Sequence, residues 1–401
     1  MRRFVDTRSA STYDSEGNHR EALHLAAKSI SWKGETKMSD YRIIDADGHV
    51  MELDSELREF IGPPYKDLEW HQSYSFWPGL TMDGFLRSLR KPGGWAGGGT
   101  GPHAKDWLNF LDINKIELTV LYPTQGLTHG AIQDKDWAVC MARAYNDWLY
   151  HKFMKVSPRL VGVALLPIQD ISEAVNELRR AVNELGMVGA VLPAVAPAGR
   201  LYSGPEFYPL WEEAQKLDVP VSTHGGLSMP ALGLDMVNNF TIGHTLEHPF
   251  AQIRQFTALM FEGIFELFPN FKFGCIECGV GWVPYMMDRM DEEQERKGHY
   301  SPRCKLKPSE YVKKGNIYFA VEVEESALPL AAQVANENAL IWASDYPHER
   351  DQRDFSHDIP NLINRKDVSD ELKRKIFWDN PLRFYPRLKG RLEKGETKAV
   401  A

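Results

Sequence analysis

Short apolar runs rich in β-branched residues alternate with helical patterns from Tyr41 onward. The helical patterns cover residues 134–155, 245–268, 327–336 and 369–377, and Asp170 is placed to cap a further helix. The apolar runs predict eight strands, at 41–47, 117–122, 160–166, 188–193, 219–224, 271–277, 316–322 and 339–345. Continuous apolar strands separated by helices are typical of a parallel sheet covered on both faces. Eight such units predict an α/β fold, a single (β/α)8 TIM barrel domain.

An open doubly wound sheet is the alternative fold. It would require a glycine-rich phosphate-binding turn after an early strand. The glycine-rich run at 93–101 has no preceding strand and no following Lys-Ser/Thr, so it is not a P-loop. This run belongs to the long segment 51–104, which we interpret as an insertion after the first strand that forms a lid over the barrel mouth. A disordered insertion is the other interpretation.

The two ends of the chain differ from the barrel region. Residues 1–37 mix basic and acidic side chains without an apolar stretch, which argues against a secretory signal and predicts a flexible, disordered arm. The alternatives are an upstream start codon, with Met38 as the functional start, or an arm that grips a partner subunit. We therefore expect the barrel domain at 38–390 and a frayed tail at 391–401.

Composition narrows the class of protein. The formal net charge of −8 predicts no general attraction to nucleic acid or to an anionic membrane. No apolar run approaches the ~20 residues of a transmembrane helix. Four cysteines in so long a chain do not make a disulfide framework, and Cys275-x-x-Cys278 lacks a second pair to complete a zinc site. We expect a cytoplasmic protein that acts on a small molecule.

The first predicted strand runs into Asp47-Gly48-His49. Residues i and i+2 of an extended chain point to the same side, so Asp47 and His49 can reach one point. The glycine between them lets that point lie close to the backbone. A carboxylate and an imidazole are ligands for a first-row metal ion. A solvated strand end with a turn glycine is the alternative interpretation.

Other strand ends carry the same residue types. In a (β/α)8 barrel the chemistry lies at the carboxyl ends of the strands. These ends bear His224, Glu277 and Asp345 on the fifth, sixth and eighth predicted strands. His244 and His248 follow the fifth strand at i, i+4 spacing, which places them on one face of a helix. The candidate metal ligands are therefore Asp47, His49, His224, His248, Glu277 and Asp345.

The pattern resembles the amidohydrolase superfamily, in particular the branch of aminocarboxymuconate-semialdehyde and dihydroxybenzoate decarboxylases. The matching segments are 44–49 (Ile-Asp-Ala-Asp-Gly-His), 222–226 (Ser-Thr-His-Gly-Gly), 268–277, 281–285 and 343–348 (Ala-Ser-Asp-Tyr-Pro-His). The resemblance implies metal ligation by His224 and by Asp345, which also helps to move protons. This chain departs from the family pattern at two positions. Asp47 stands where the family has the first histidine of His-x-His, and Glu277 stands where it has a catalytic histidine.

Three functions follow from this resemblance. The first is a metal-dependent hydrolase or decarboxylase in which Asp345, Glu277 and His248 are catalytic, and Trp282, Tyr285 and His348 bind a small carboxylate-bearing substrate. The second is a dinuclear Fe or Mn oxygenase, because three carboxylates and three imidazoles exceed the needs of one tetrahedral ion. The third is a non-catalytic barrel subunit. The residue types accept Zn, Mn or Fe alike, as one ion or as two.

The resemblance also implies an oligomer. We expect a homo-oligomer or a hetero-oligomer with a related barrel subunit. The apolar positions of the long predicted helix at 245–268 are assigned mostly to the core and partly to a dimer interface; they are Phe250, Ile253, Phe256, Leu259 and Phe265.

Overall fold

The computed structural model describes residues 41–68, 75–78, 102–194, 200–225, 240–348 and 357–393. The predicted arm at 1–37 and much of the predicted lid at 51–104 lie outside the described residues. In the described part of that segment, Phe76 and Trp77 are buried, and the Phe76 amide donates to Asp54 Oδ2 at 3.1 Å. A helix extends to Glu393, within the predicted tail at 391–401, and residues 394–401 lie outside the described part of the chain.

The predicted strands are present, and paired neighbours run parallel. The predicted strand at 160–166 is interrupted at Val163 and forms two short pieces. In chain order the strands are β1 (Ile44–Val50), β2 (Leu118–Pro123), β3 (Leu160–Gly162), β4 (Ala164–Leu165), β5 (Ala190–Pro193), β6 (Val221–His224), β7 (Phe273–Ile276), β8 (Ile317–Val321) and β9 (Leu340–Trp342).

Backbone hydrogen bonds at two junctions join the strands into a ring. At the first, the Val163 amide donates to Leu121 O at 3.2 Å, and the Ala164 amide donates to Gly189 O at 2.8 Å. The broken strand β3–β4 therefore connects β2 with β5. At the second, the Asp345 amide donates to Asp47 O at 3.0 Å, and the His49 amide donates to Tyr346 O at 2.7 Å. Because the chain after β9 thus pairs with β1, the fold is the predicted (β/α)8 barrel.

The helices surround this ring, and their boundaries refine the prediction. The Asp170 side chain accepts from the Glu173 amide at 3.2 Å, as expected for a helix cap. The predicted helix at 245–268 begins earlier and breaks before Gly263, whose φ of +75° ends it. The helices are Asp54–Leu57, Ala104–Ile113, Lys135–Leu149, Ile171–Asn183, Tyr208–Leu217, Phe240–Phe261, Ile264–Leu267, Trp282–Lys297, Pro308–Lys313, Leu328–Val334, Asp358–Asn364, Asp370–Arg374, Asn380–Phe384 and Leu388–Glu393. Among the described residues, none of these helices combines the length and the apolar character needed to cross a membrane.

A buried polar network ties the barrel interior together. The Tyr122 hydroxyl lies 2.7 Å from Ser222 Oγ and 2.6 Å from the Tyr385 hydroxyl. Tyr385 in turn donates to Ala46 O at 3.0 Å. These bonds connect β1, β2 and β6 with the C-terminal helices, and they do so where water has no access, because Tyr122 and Tyr385 are fully buried.

We expect Tyr385→Phe to lower the free energy of unfolding by about 1–3 kcal/mol, because it leaves buried acceptors without their donor. Urea unfolding followed by circular dichroism measures the change. Tyr300→Phe is the matched control, since Tyr300 is 79% exposed and the same chemical change there should have no effect. A Tyr385→Phe protein as stable as the control would contradict a structural role for the network.

Candidate metal centre

The first strand presents Asp47 and His49 at the centre of the barrel. Every residue of β1 is buried, and the pairing of β1 with β2 is irregular between Asp45 and Gly48. Such a bulge re-aims side chains. A Cβ at position 48 would lie 2.8 Å from Thr119 Oγ1, so only glycine fits between the two candidate ligands. The predicted convergence is found, because His49 Nε2 lies 3.4 Å from Asp47 Oδ1.

His224 at the end of β6 joins this pair. Its Nε2 lies 3.1 Å from His49 Nε2 and 3.2 Å from Asp47 Oδ2. Ligand atoms about 2.0–2.2 Å from a common metal ion are about 3–3.5 Å apart in tetrahedral or octahedral geometry. All three side chains are fully buried. The ligand atoms therefore have the spacing of a metal site.

The other ring nitrogens explain why a cation fits here. His49 Nδ1 lies 2.9 Å from Pro123 O, and His224 Nδ1 lies 2.7 Å from Gly225 O. Each Nδ1 can only donate to a carbonyl, so each neutral ring turns the lone pair of its Nε2 toward the other. Asp47 Oδ1 is also buried without a hydrogen-bond partner among the described residues. Two lone pairs and a carboxylate that face one point are mutually repulsive unless a metal ion or a proton lies between them.

Asp345 lies beside His49, on the segment that follows β9 and closes the barrel. Its Oδ1 lies 3.4 Å from His49 Nε2 and 2.8 Å from His348 Nδ1. The sequence placed Asp345 within the last strand, but β9 ends at Trp342. Asp345 instead has a φ of +54°, in the left-handed region that costs a non-glycine residue about 1–2 kcal/mol. This turn directs the carboxylate into the mouth of the barrel.

Glu277 has the same geometry, with a φ of +55° just after β7, so its predicted place inside the strand is also corrected. Strained backbone of this kind is concentrated at functional sites. Glu277 Oε2 lies 3.2 Å from His224 Nδ1 and 3.3 Å from His248 Nε2. A Cβ at Gly225 would lie 3.0 Å from His248 Nε2, so the glycine permits this approach.

His248 and His244 lie on the helix Phe240–Phe261, with ring centroids 4.7 Å apart, as their i, i+4 spacing predicts. His348 stacks near His49 with a centroid distance of 4.0 Å. The Thr124 hydroxyl lies 2.8 Å from His348 Nε2. Thr124 is not among the predicted site residues, although it directly follows β2, and a polar residue after a strand is the signal that identifies it.

Burial and neighbouring charges set the protonation of the site. Burial and the nearby Asp345 and Glu277 carboxylates raise the pKa of Asp47 to about 7, against the lowering effect of His224. Burial and the neighbouring His348 and His224 hold the pKa of His49 well below its usual value. Burial alone would lower the pKa of His224, but Asp47 and Glu277 outweigh it and raise the value to about 9.

Burial and neighbouring charges also set the protonation of Asp345, Glu277 and His248. Burial and the Glu277 carboxylate raise the pKa of Asp345. Burial opposes ionisation of Glu277, yet the His248 and His224 rings hold its pKa well below the usual range. For His248, the carboxylates of Glu277 and Glu247 outweigh burial and raise the pKa to about 10. Near neutral pH the site therefore holds an ionised Glu277 beside a protonated His248.

A cavity of about 350 Å³ opens onto these residues. Six carboxylates and three histidines line it, and among the described lining residues there is neither lysine nor arginine. Glu322, one of the six, ends the predicted strand at 316–322 and was missed although the strand-end rule covers it. The six carboxylates belong to Asp47, Glu277, Glu322, Glu325, Asp345 and Asp358.

Two predicted substrate-binding residues do not line this cavity as described. Trp282 packs against Phe256 and Phe319, and its indole donates to Gly279 O at 3.0 Å. Tyr285 is 67% exposed and borders a separate groove on the outside of the barrel. Among the described residues, the structure thus places neither side chain at this cavity, whereas His348 lines it.

Comparison with known proteins gives relatives of similar sequence. γ-Resorcylate decarboxylase of Rhizobium radiobacter is 33% identical over 195 residues, which is 46% of this chain and 58% of the relative. The match thus spans little more than half the length of that relative. γ-Resorcylate decarboxylase of Polaromonas sp. is 29% identical over 287 residues, 68% of this chain and 84% of the relative.

A solved structure agrees with the barrel. It is a dihydroxybenzoic acid decarboxylase from Polaromonas sp. with bound manganese and the inhibitor 2-nitroresorcinol. It is 22% identical, has a TM-score of 0.63, and the match covers 86% of this chain and 97% of that chain. The amidohydrolase family matches residues 112–387, well over half of the sequence. The chain therefore belongs to the amidohydrolase family.

Proposed function

We propose that this protein is a metal-dependent decarboxylase of a small hydroxylated aromatic carboxylate. The observation that carries the proposal is the convergence of Asp47, His49 and His224 at 3.1–3.4 Å from one another, with Asp345 Oδ1 3.4 Å from His49 Nε2. The decarboxylase names of relatives that match this chain favour carbon–carbon cleavage over hydrolysis.

The four converging residues would hold one divalent cation. When bound, such an ion supplies Lewis-acid stabilisation of negative charge on a substrate carboxylate or hydroxyl oxygen. The donor set of two imidazoles and two carboxylates suits Mn, Zn or Fe. The backbone carbonyls of Pro123 and Gly225 fix the imidazole rings of His49 and His224 in the orientation that ligation needs.

Asp345 is placed to deliver the proton. In decarboxylation, the bond between the ring carbon and the carboxylate carbon breaks, CO₂ leaves, and one proton is added to the ring carbon. In metal-free protein, burial and Glu277 raise the pKa of Asp345, and a bound cation would oppose this shift, so the position of the carboxyl is what supports its role as proton donor. His348 holds this carboxyl through the 2.8 Å contact to Oδ1 and is itself held by Thr124. The proton donor thus has a fixed position beside the candidate metal ligands.

His248 is placed to bind the anionic substrate. The cavity is lined by six carboxylates, so an anion is repelled unless positive charge is present. Glu277 and Glu247 keep His248 protonated, since they raise its pKa to about 10. The imidazolium can therefore donate a charge-assisted hydrogen bond to a substrate oxygen. Glu277 therefore serves to keep the His248 side chain positively charged within the cavity.

The direct test is product formation by manganese-loaded protein. γ-Resorcylate and other ortho-hydroxybenzoates are supplied, and CO₂ release and the appearance of the phenol are measured. Stoichiometric release of both products supports the proposal. Failure with the whole series by protein that carries metal would count against decarboxylation.

The dinuclear oxygenase is the second candidate, and one observation favours it. His49, Asp345 and His348 form a second group of three side chains whose ligand atoms lie within 4.8 Å of one another. Glu277 and His248 lie alongside this group, with their facing atoms 3.3 Å apart. A second ion bound there would compete with the proton-donating and substrate-binding tasks proposed above.

Metal content separates the two candidates. We expect about one ion per chain in the purified protein, lost in His224→Ala and retained in His248→Ala, because only His224 contributes to the converging set. Elemental analysis measures both variants. Two iron or manganese ions per chain, reduced to one in His248→Ala, would instead favour the oxygenase. If the purified protein contains no metal, the non-catalytic barrel subunit is the remaining candidate.

Two further expectations belong to the proposal. The four cysteines form no disulfides, which agrees with a reducing compartment such as the cytoplasm. We also propose that the site does not need a related barrel subunit, because both groups of candidate ligands lie within one chain.

A further inference from the structure

Glu52 lies three residues after His49, on the segment that leaves β1, and its side chain is fully buried. The carboxylate accepts from three successive backbone amides that follow β2. The amides of Thr124 and Gln125 donate to Oε2 at 3.1 and 3.0 Å, and the amide of Gly126 donates to Oε1 at 2.9 Å. The Gln125 side chain also donates to the backbone oxygen of Glu52 at 3.0 Å. Glu52 therefore fixes the turn after β2 to the end of β1.

Backbone amides are the groups that stabilise this carboxylate. Within the described ranges, no lysine or arginine forms an ion pair with Glu52, and burial raises its pKa to about 7 although the amides lower it. A buried carboxylate opposes folding unless its hydrogen bonds offset the cost of desolvation. The turn comes very close, because a Cβ at position 126 would lie 3.0 Å from Glu52 Oε1 and 2.8 Å from Pro123 Cβ. Glycine at position 126 thus allows the turn to close around the carboxylate.

The peptide unit between Pro123 and Thr124 connects Glu52 to His49. Its N–H is the Thr124 donor to Glu52, and its carbonyl oxygen lies 2.9 Å from His49 Nδ1. A peptide unit is planar and rigid, so each of these two hydrogen bonds constrains the direction of the other. The carboxylate also polarises the unit, which makes the Pro123 oxygen a stronger acceptor for the ring N–H of His49. This series of carboxylate, peptide and imidazole therefore sets the direction in which His49 Nε2 points.

The Thr124 side chain connects the same turn to His348. Its hydroxyl lies 2.8 Å from His348 Nε2, and His348 Nδ1 lies 2.8 Å from Asp345 Oδ1. Thr124 thus bonds to Glu52 through its backbone and to His348 through its side chain. Displacement of the turn would therefore move the support of His348 together with the support of His49.

We infer that Glu52 is a positioning residue for the rings of His49 and His348. It acts on the first ring through the Pro123–Thr124 peptide and on the second through the Thr124 hydroxyl. Glu52 is not among the described residues that line the active-site cavity, so it acts from outside the site. Its effect on the orientation of the two rings follows from these hydrogen bonds alone, whereas its effect on proton delivery rests on the function proposed above.

Manganese binding by a Glu52→Gln variant of the full-length protein tests the inference. The side-chain amide has one acceptor oxygen for three backbone N–H groups, so the turn should shift and the manganese dissociation constant should increase about tenfold or more. Glu177→Gln is the matched control, since Glu177 is also a buried carboxylate, 3% exposed, but bonds to Asn146 and Arg180. The control should bind manganese as wild type does.

The ring nitrogens provide a readout that needs neither metal nor turnover. At about pH 8, above the pKa of Glu52 of about 7, nitrogen NMR of metal-free wild type should show His49 as the Nδ1–H tautomer that its bond to Pro123 O requires. Glu52→Gln should give a mixture of tautomers, and Glu177→Gln should not. Glu52→Asp retains the charge but is shorter by one methylene, so it should give the same change to a smaller degree, and it serves as the test if the glutamine variant does not fold.

Thr124→Val separates the two rings, because it removes the hydroxyl and retains the backbone amide. The His348 resonances should shift and kcat should fall about tenfold without a change in KM, while the manganese dissociation constant stays that of wild type. An unchanged His49 tautomer in the Glu52 variants, or an equal effect of Glu177→Gln on manganese binding, would overturn the inference. If the ring and metal readouts change as expected but no variant and no wild type releases CO₂, the positioning role is supported and the proposed decarboxylation is contradicted.

Discussion

An Asp345→Asn variant should release CO₂ from γ-resorcylate about 10²- to 10⁴-fold more slowly than wild type, the range associated with loss of a general acid. The amide keeps the size of the carboxyl and can still accept from His348 Nδ1, whose present contact with Oδ1 is 2.8 Å. The closing backbone bond from the Asp345 amide to Asp47 O does not involve the side chain and should persist. What the variant lacks is a carboxyl proton that it can deliver to the ring carbon. Because Asp345 is also a candidate metal ligand, elemental analysis verifies that the variant carries metal.

The experiment compares kcat with binding of a non-reactive substrate analogue. We expect kcat to fall while the analogue binds within about tenfold of wild type, because the cationic His248 remains. Asp358→Asn is the control, since Asp358 lines the same cavity but lies outside the converging ligand set. A kcat for Asp345→Asn within tenfold of wild type would mean that another group delivers the proton.

Removal of the metal should have an effect of at least similar size. We expect chelation to slow turnover about 10³-fold or more, because the several kcal/mol of charge stabilisation that a metal supplies are lost. It should also destabilise the fold. A ligand at 100 times its Kd contributes about 2.7 kcal/mol to the free energy of unfolding.

The size of this stabilisation should depend on pH. In metal-free protein the pKa of Asp47 is raised to about 7 by burial first, so its contribution to stability is lost as pH rises from about 4 to about 7. The pKa of His224 is raised to about 9, because Asp47 and Glu277 outweigh burial, so its contribution is lost as pH rises from about 6.5 through 9. Both groups make the metal-free protein weaker at higher pH. Metal replaces these protons, so its affinity should increase over the same range.

Thermal unfolding with and without manganese, between about pH 6 and pH 9, measures the effect. The difference in Tm between the two forms should widen as pH rises. Asp47→Ala is the control, because it removes one ligand and should reduce the difference at every pH. A difference that narrows with rising pH would show that protons and metal do not compete for these side chains.

The sequence predicted those parts of the site that depend on strand order. Asp47, His49 and His224 follow apolar runs, and the rule that strands of a barrel end at one face brought them together correctly. His244 and His248 were placed on one helix face by their spacing alone. In each case a local, periodic pattern determines the position of the side chain.

Other features have no local pattern. The left-handed backbone of Glu277 and Asp345 has no signal in the sequence, because a positive φ is uncommon in residues other than glycine. The break at Val163 lies where backbone bonding passes from β2, through the Val163 amide, to the residue before β5, through the Ala164 amide, and no residue type marks this point in the sequence. Trp282 and Tyr285 occupy successive turns of one helix and face different surroundings, so an aromatic composition could not assign either to a pocket.

The hydrogen bonds that close the barrel also determine the stage of chain synthesis at which the site can form. Asp45 accepts from the Ser344 hydroxyl at 2.9 Å although the two residues are 299 positions apart, and Asp45 is joined to Asp47 by a contact of 3.4 Å. A nascent chain that has reached only β8 carries Asp47, His49 and His224 but lacks the segment that anchors them. Stable metal uptake therefore requires the last strand to dock on the first. A stably bound ion would thus be found only in chains whose last strand has docked. Fragments that end before β9 would remain metal-free and susceptible to proteolysis.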